Sequence, residues 1–332
     1  MKTDCDIDFV IPWVDGSDPE WIDEFNRYCP ADKRIIDVRE ERYLDYGLLK
    51  YWFRGVEKFA PWVRTVHFVT CGQKPDWLNL DAPKLHWVKH SDYIRAEYLP
   101  VFSANPIEIG MRAIPGLAEH FVYFNDDFFL TAPVRKKFFF RNGLPCDSAV
   151  LGTISLTEIG HIFLNNNNLI NSVFDKHTVI KNNLTKWFNL KYGKELIHTL
   201  LLLPYKGFTG FHNYHFSSPY TKSLLEEVWD TFPEKLTQTM QNRFRSEQDV
   251  NQYLFQDYRF CKGSFYPIAP YKNRAAYKVT KENIALVCER IAKQKQCELV
   301  LNDIDAETLR YGKEMLVRSF ESILPEKSSF EL

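Results

Sequence analysis

The sequence predicts an α/β protein, and three observations carry that prediction. Short apolar, β-rich runs alternate with amphipathic stretches through the first 135 residues. Beyond them the pattern turns to helical periodicity, and the final segment returns to a strand followed by a helix. Strands that alternate with helices favour a mainly parallel sheet, because parallel neighbours need a crossover between them.

Taken in order, the first strand is "IDFVIPWV" (7–14). In "RYLDYGLLKYWFRGVEKFAPW" the residues Leu44, Leu48, Trp52, Val56 and Phe59 recur at helical spacing, and Pro61 stops the helix. Three further strands follow: "TVHFVTC" (65–71), "LHWVKH" (85–90) and "HFVYFNDD" (120–127), with an amphipathic stretch before the last. In the middle section Leu224, Leu225, Val228, Trp229 and Phe232 form an apolar stripe opposite Glu226, Glu227 and Asp230, and "DVNQYLFQDY" reads as another helix. The chain ends on a strand, "CELVLND" (297–303), and a helix carrying Leu309, Leu316, Phe320 and Ile323. The expected organisation is one catalytic unit, 1–332. Segments 1–135 and 295–332 form its α/β core around a mainly helical section, 136–294, that carries His215 and Arg245. The apolar stretch 185–205 reads first as a helical core segment, and second as a surface that touches a membrane or a lipid-linked acceptor.

Composition narrows the function. At 45% hydrophobic and 26% charged residues the chain is globular rather than disordered. A formal net charge of −1 supplies no excess of Lys and Arg for a phosphate backbone, so no nucleic-acid partner is expected. The opening "MKTDCDIDFVIPWV" lacks a signal-peptide layout, and no run approaches the roughly 18 apolar residues of a membrane span, so a cytoplasmic location is expected. Seven scattered cysteines without C-x-x-C spacing read as free thiols, which leaves zinc and redox chemistry little support.

Polar groups break into apolar surroundings at a few places. "YFNDDFFL" sets Asp126 and Asp127 side by side at the expected carboxyl end of a buried strand. Strand edges of that kind collect ligands in α/β sheets, and a hard cation such as Mg²⁺ takes one or two carboxylates plus substrate phosphates. Because successive strand side chains face opposite ways, both carboxylates reach one ligand only if the chain bends there. The bland alternative is one Asp capping a turn and the other solvated. In "IPWVDGSDPEW" the turn of Asp15 and Gly16 either exposes N–H groups to a nucleotide phosphate or leads into a helix capped by Ser17 or Asp18, with Pro19 at its first position. "GFTGFHNYHFSSP" presents His212 and His215, suited to accept a proton near neutral pH or simply structural. "NRFRSEQDV" offers Arg243 and Arg245, whose guanidinium forks suit a phosphate or an ordinary surface salt bridge. Asp303 repeats the strand-then-carboxylate pattern.

In four ordered blocks the chain resembles the Stealth-type sugar-phosphate transferases of bacterial capsule synthesis, relatives of the eukaryotic GlcNAc-1-phosphotransferase catalytic subunit. The blocks are "IDFVIPWVDGSDPEW"; the long run from "RYLDYGLLKYWF" through "LPVFSANPIE" to "IPGLAEHFVYFNDD"; "HFSSPYTKS" through "FRSEQDV"; and "LND" with "FESILPEKSSFEL". The resemblance implies a Rossmann-like, GT-A-related core that uses a UDP-sugar and Mg²⁺ or Mn²⁺. It also implies transfer of the whole hexose-1-phosphate to a hydroxyl, forming a phosphodiester and releasing UMP, in capsular or exopolysaccharide synthesis. The implied donor is a UDP-hexose such as UDP-GlcNAc. The implied acceptor is a glycan or lipid-linked glycan; a cytoplasmic enzyme is expected, with peripheral association at the inner face of the cell membrane as the alternative that the stretch 185–205 offers. Carried over by position, the family's "NDD" falls on Asn125, Asp126 and Asp127, its first turn on Asp15 and Gly16, and its "ND" on Asn302 and Asp303. The implied metal ligands are Asp126, Asp127 and Asp303, and the implied catalytic residues are His215 as base, Arg245 and Asp127. Asp15, Gly16, Asp45, Glu108 and Asn125 are implied to line the nucleotide-sugar site. Where many members read His-x-Pro, this chain has His215, Phe216 and Ser217. Two rival functions share these features: a conventional GT-A glycosyltransferase releasing UDP, and a non-catalytic sugar-nucleotide-binding protein.

Overall fold

The computed structural model describes residues 5–29, 46–155, 157, 159–302 and 304–332. Its strands are β1 (Ile7–Pro12), β2 (Val66–Thr70), β3 (Leu85–Lys89), β4 (His120–Tyr123), β5 (Phe128–Leu130), β6 (Phe140–Arg141), β7 (Leu144–Asp147), β8 (Ser218–Thr221), β9 (Tyr266–Pro267), β10 (Arg274–Lys278) and β11 (Glu298–Asn302). The α-helices are α1 (Pro19–Tyr28), α2 (Leu49–Phe59), α3 (Ala104–Gly110), α4 (Gly160–Val173), α5 (Lys176–Asn182), α6 (Leu184–Trp187), α7 (Leu196–Leu202), α8 (Lys222–Thr231), α9 (Pro233–Met240), α10 (Tyr253–Lys262), α11 (Ile284–Ala292) and α12 (Ala306–Ile323).

The fold is mixed α/β, as the alternation of patterns predicts. The central sheet has the order β3-β2-β1-β4-β8, with β1 parallel to β2 and β4, β2 parallel to β3, and only β8 antiparallel. β1 lies in the middle with both faces covered, which is why its sequence is apolar almost throughout. Its side chains alternate between two core layers. Phe9 packs with Trp52 of α2 and with Phe124 and Phe139 on one side, whereas Val10 joins Val69, Phe121 and Tyr220 on the other, beneath α3, α8 and α10.

The run 120–127, expected as one strand, is interrupted. β4 stops at Tyr123, and Asn125–Phe128 make a turn in which the Phe128 N–H donates to the Asn125 carbonyl (3.2 Å). The chain thereby leaves the central sheet and enters a second one, β10-β11-β5, in which β5 runs antiparallel to β11. The carboxyl-terminal strand and helix come back beside the first layer: Phe320 of α12 stacks on Tyr51 of α2, with ring centroids 5.4 Å apart. Gly312 permits the approach of α12 to α11, since a Cβ there would lie 1.9 Å from Ile284 Cδ1. A small sheet, β6-β7-β9, sits beside the helical section.

The stretch 185–205 bears out its first reading as a core segment only in part: Trp187 and Tyr192 are buried, with Phe188, Leu202 and Leu203 packed against the same core. It is helical at α7, where Thr199 is buried and its Oγ1 accepts a hydrogen bond from the Leu151 N–H (3.2 Å). The opposite side of the same helix is open to water, because no other element of the described residues covers Ile197, Leu200 and Leu201. Among the described residues no helix is long and apolar enough to cross a membrane, and the cysteines form no disulfide.

Candidate active site at the carboxyl edge of the central sheet

Beyond the carboxyl ends of β1 and β4 lies a cavity of about 610 Å³, within the ~300–1,000 Å³ typical of small-molecule sites. Pro12, Trp13 and Val14 at the end of β1 and Tyr123, Asn125 and Asp126 at the end of β4 form its floor. Glu108 of α3, His215, Arg245 and the start of α10 form its walls. Residues far apart in the sequence converge here because the parallel strands all deliver their loops to one edge.

The bend that two adjacent carboxylates need is present. Asp126 and Asp127 occupy the middle of the Asn125–Phe128 turn, Asp126 exposed and Asp127 half-buried. Asp126 lines the cavity, and the Asp127 carbonyl accepts from the Leu301 N–H of β11 (3.0 Å). That contact brings the end of β11 to the same place, and Asn302 joins the lining. Asp45 and Asp303 lie outside the described residues.

His215 sits on the loop before β8. Its ring meets Phe128 edge-on (4.8 Å, 90°), and its Nδ1 lies 3.2 Å from the Tyr253 hydroxyl at the start of α10. Tyr253 in turn stacks on Phe163 of α4 (5.5 Å). Burial raises the Tyr253 phenol above its ordinary range, so it stays neutral.

Arg245 lies in the loop between α9 and α10, which Asp249 ties down. The Asp249 carboxylate accepts from the Ser246 N–H (2.9 Å), Asn105 Nδ2 (2.8 Å) and Asn242 Nδ2 (2.7 Å). Arg245 Nε is buried and takes no hydrogen-bond partner among the described residues. An orphaned guanidinium nitrogen is costly, so a cavity wall that keeps one is suited to an anion. Facing it electrostatically, Glu108 accepts from the Tyr123 hydroxyl (3.1 Å) and the Gln252 N–H (3.2 Å). Burial pushes Glu108 up to about 7, against the pull of those donors and of Arg245.

The structure thus brings Glu108, Asn125, Asp126, His215 and Arg245 into one cavity wall. Asp15 and Gly16 stand next to it in the chain, beyond Val14, in a helix-entry turn. The Asp15 carboxylate accepts from the Ser17 N–H and hydroxyl, and Asp18 caps α1 ahead of Pro19. Arg243 is occupied elsewhere: it donates to the Leu99 carbonyl (2.9 Å) and lies over the Tyr28 ring. His212 stacks on Tyr214, away from this lining.

Other lining groups escaped the sequence reading. Phe102 and Phe244 stack at 5.1 Å with Trp21 edge-on to Phe102, forming a flat apolar wall. His90, lowered by burial to about 4, is neutral there. The asparagine run 165–168, too short for a low-complexity segment, is a clamp. Asn165 Nδ2 donates to the Glu247 and Asp249 carbonyls, Asn166 pairs with Asn251, and Asn167 Nδ2 donates to the Phe208 carbonyl. Successive residues of α4 therefore hold the loops of both Arg245 and His215. Four amides in a row were the only available signal.

The donors around Asp126 suit a hard divalent cation: a carboxylate and the amide oxygens of Asn125 and Asn302 are all oxygen ligands. Among the described residues no group of three or more His, Cys, Asp and Glu could hold a metal by itself. An ion that borrows part of its shell from substrate phosphates needs no such group.

Comparison with known proteins gives a consistent result. The sequence matches the profiles "Stealth protein CR1, conserved region 1" at 6–28, "Stealth protein CR2, conserved region 2" at 42–146 and "Stealth protein CR3, conserved region 3" at 214–255. It is 36% identical to the capsular polysaccharide phosphotransferase WcwK of Streptococcus pneumoniae over 100% of this chain and 99% of that one. It is 38% identical to the receptor polysaccharide phosphotransferase WefC of Streptococcus gordonii (98% and 99%). The exopolysaccharide phosphotransferase cps2G of Lactiplantibacillus plantarum is 36% identical (98% and 96%). Among solved structures, the bifunctional glycosyltransferase WbbM aligns at a TM-score of 0.39 and 10% identity, covering 96% of this chain and 50% of that one, too slight a likeness to bear on the chemistry.

Proposed function

The chain belongs to the Stealth family, and from that premise we propose that it is a polysaccharide phosphotransferase that moves hexose-1-phosphate from a UDP-hexose to a glycan hydroxyl and releases UMP. The observation that carries this reading is Arg245, whose buried Nε takes no partner among the described residues and which shares a cavity with His215 and Asp126. An acid, a base and a guanidinium with a nitrogen left to donate are what phosphoryl transfer asks of a protein, since positioning and charge stabilisation do most of its catalysis.

His215 is the proton acceptor. In the tautomer whose Nδ1–H donates to the Tyr253 hydroxyl, Nε2 carries the lone pair that takes the proton of the acceptor hydroxyl. The hydroxyl oxygen attacks the phosphorus bonded to the sugar, a new P–O bond forms, and the bond to the bridging oxygen breaks so that UMP departs. Arg245 donates to the phosphoryl oxygens, with Glu108 close enough to feel its charge. The flat wall of Trp21, Phe102 and Phe244 offers the uracil a stacking surface. Asp15 and Gly16 shape the turn beside it. Asp126 and Asp127, with Asp303 and the neighbouring amides, would hold Mg²⁺ or Mn²⁺, which when bound neutralises charge on the diphosphate and the departing UMP.

The product decides. With a UDP-hexose, Mg²⁺ and a short glycan acceptor, ³¹P NMR of the purified product should show a phosphodiester. A product that carries sugar but no phosphorus would identify a conventional glycosyltransferase.

A further inference from the structure

The face formed by α7 and the turns around it has no role in the cavity. α7 carries five aliphatic residues among its seven, Leu196, Ile197, Leu200, Leu201 and Leu202, yet the residue it buries is the polar Thr199. Leu190 is 89% exposed, Leu201 68%, Tyr205 58%, and Ile197 and Leu200 56% each. Isolated exposed leucines need no explanation, but this many within one short segment mark a surface that something covers.

The charges indicate the occupant. Residues 175–206 contain six lysines and two acids, Asp175, which is exposed, and Glu195, which is buried; Lys176 and Lys186 donate inward to the Leu202 and Gly263 carbonyls. Lys181, Lys191, Lys194 and Lys206 are exposed. In a chain of net charge −1 this is a local concentration of positive charge flanking exposed leucines. Apolar residues beside lysines complement an anionic lipid surface, which takes leucines at its acyl boundary and lysines at its headgroups. We propose that this face docks the protein onto an anionic phospholipid bilayer as a peripheral contact. The proposal goes beyond the reaction above and stands on this surface alone.

A short, braced stretch of chain joins this face to the cavity. The chain leaves the face at Tyr205 and returns to His215 along a loop pinned by the Gly152 N–H on the Gly210 carbonyl (3.0 Å) and the His212 N–H on the Val150 carbonyl (2.9 Å).

The test is co-sedimentation of the full chain with vesicles of phosphatidylcholine alone and with vesicles enriched in phosphatidylglycerol. Wild-type protein should pellet with the anionic vesicles, stay in solution with the neutral ones, and be released at 1 M salt, where the screening length falls to about 3 Å. The double variant L200E/L201E should bind about tenfold or more weakly, since it places charge where apolar area must enter the interface. If that variant does not fold, K194E/K206E, which exchanges exposed charges only, should show the same loss. Wild-type protein that ignores both vesicle types, or variants that bind like wild type, would overturn the proposal. So would light scattering that finds a lipid-free dimer which L200E/L201E turns into a monomer, because the occupant would then be a second copy of the chain.

Discussion

The two ends of the central sheet use the same kinds of residue in opposite ways. At the amino end, Asp8 of β1 is fully buried and satisfied from all sides: Arg64 Nε donates to it (2.8 Å), as do the Ala118 N–H (2.8 Å) and the ring of His67 (Nε2 at 2.9 Å). His67 in turn reaches His86. At the carboxyl end, Glu108, His215 and Arg245 line a cavity, and Arg245 Nε takes no partner among the described residues. An acid, a histidine and an arginine that close on one another form a brace. Left facing a cavity, the same three types are available for a substrate.

Substitutions at each end should separate activity from stability. His215→Ala should lower turnover by about 10²–10⁴-fold, the usual contribution of a positioned base, with thermal unfolding unchanged. Arg245→Ala should cost about 10²–10³-fold in kcat, the scale for losing one charge-stabilising donor. Arg245→Lys should remain well below wild type, because it restores charge without the planar fork. Asp8→Ala should do the reverse and destabilise the fold by about 3 kcal/mol, the low end for breaking a buried pair because Arg64 is partly exposed, while folded molecules keep their turnover. Denaturant melts and single-turnover rates on the same preparations check all four. An Asp8→Ala protein of normal stability, or an Arg245→Ala protein that unfolds, would break the contrast.

A smaller effect sharpens it through pH. Burial pushes Glu108 to about 7, above its ordinary 4.5, so between those values the folded protein holds a proton that the unfolded chain has lost. Stability therefore falls as pH rises through that window, and Glu108→Gln should flatten this share of the slope in urea melts. Asp8 has the opposite sign. Burial would raise it, but Arg64 and His67 outweigh that and hold it below its ordinary 3.8, so its stabilisation is present above that value and is lost as pH falls further.

Much of the carboxyl end was legible because a costly placement shows in the letters. Two aspartates after a buried strand imply a site or a turn, and the Asn125–Phe128 turn supplies the bend. Arg245 and His215 could be picked out, but nothing local distinguishes Arg245 from Arg243, which the fold spends on the Leu99 carbonyl. Nor does anything distinguish His215 from His67, since each follows or lies in an apolar run. Partners come from tertiary structure, and periodicity carries no record of them. The same limit hid the wall of Trp21, Phe102 and Phe244, which joins three separate segments. The segment 185–205 was half legible: Trp187 and Tyr192 are buried as expected, whereas Ile197, Leu200 and Leu201 stay exposed, because an apolar sequence predicts burial only when an element is available to cover it.

The central claim is the bond that breaks, and the nucleotide released reports it most directly. The purified protein would be incubated with Mg²⁺, a panel of UDP-hexoses and short glycan acceptors, and the nucleotide identified by mass spectrometry. UMP, formed by wild type and strongly reduced in Arg245→Ala, is the predicted result. UDP would contradict it, placing the attack at the anomeric carbon instead of phosphorus.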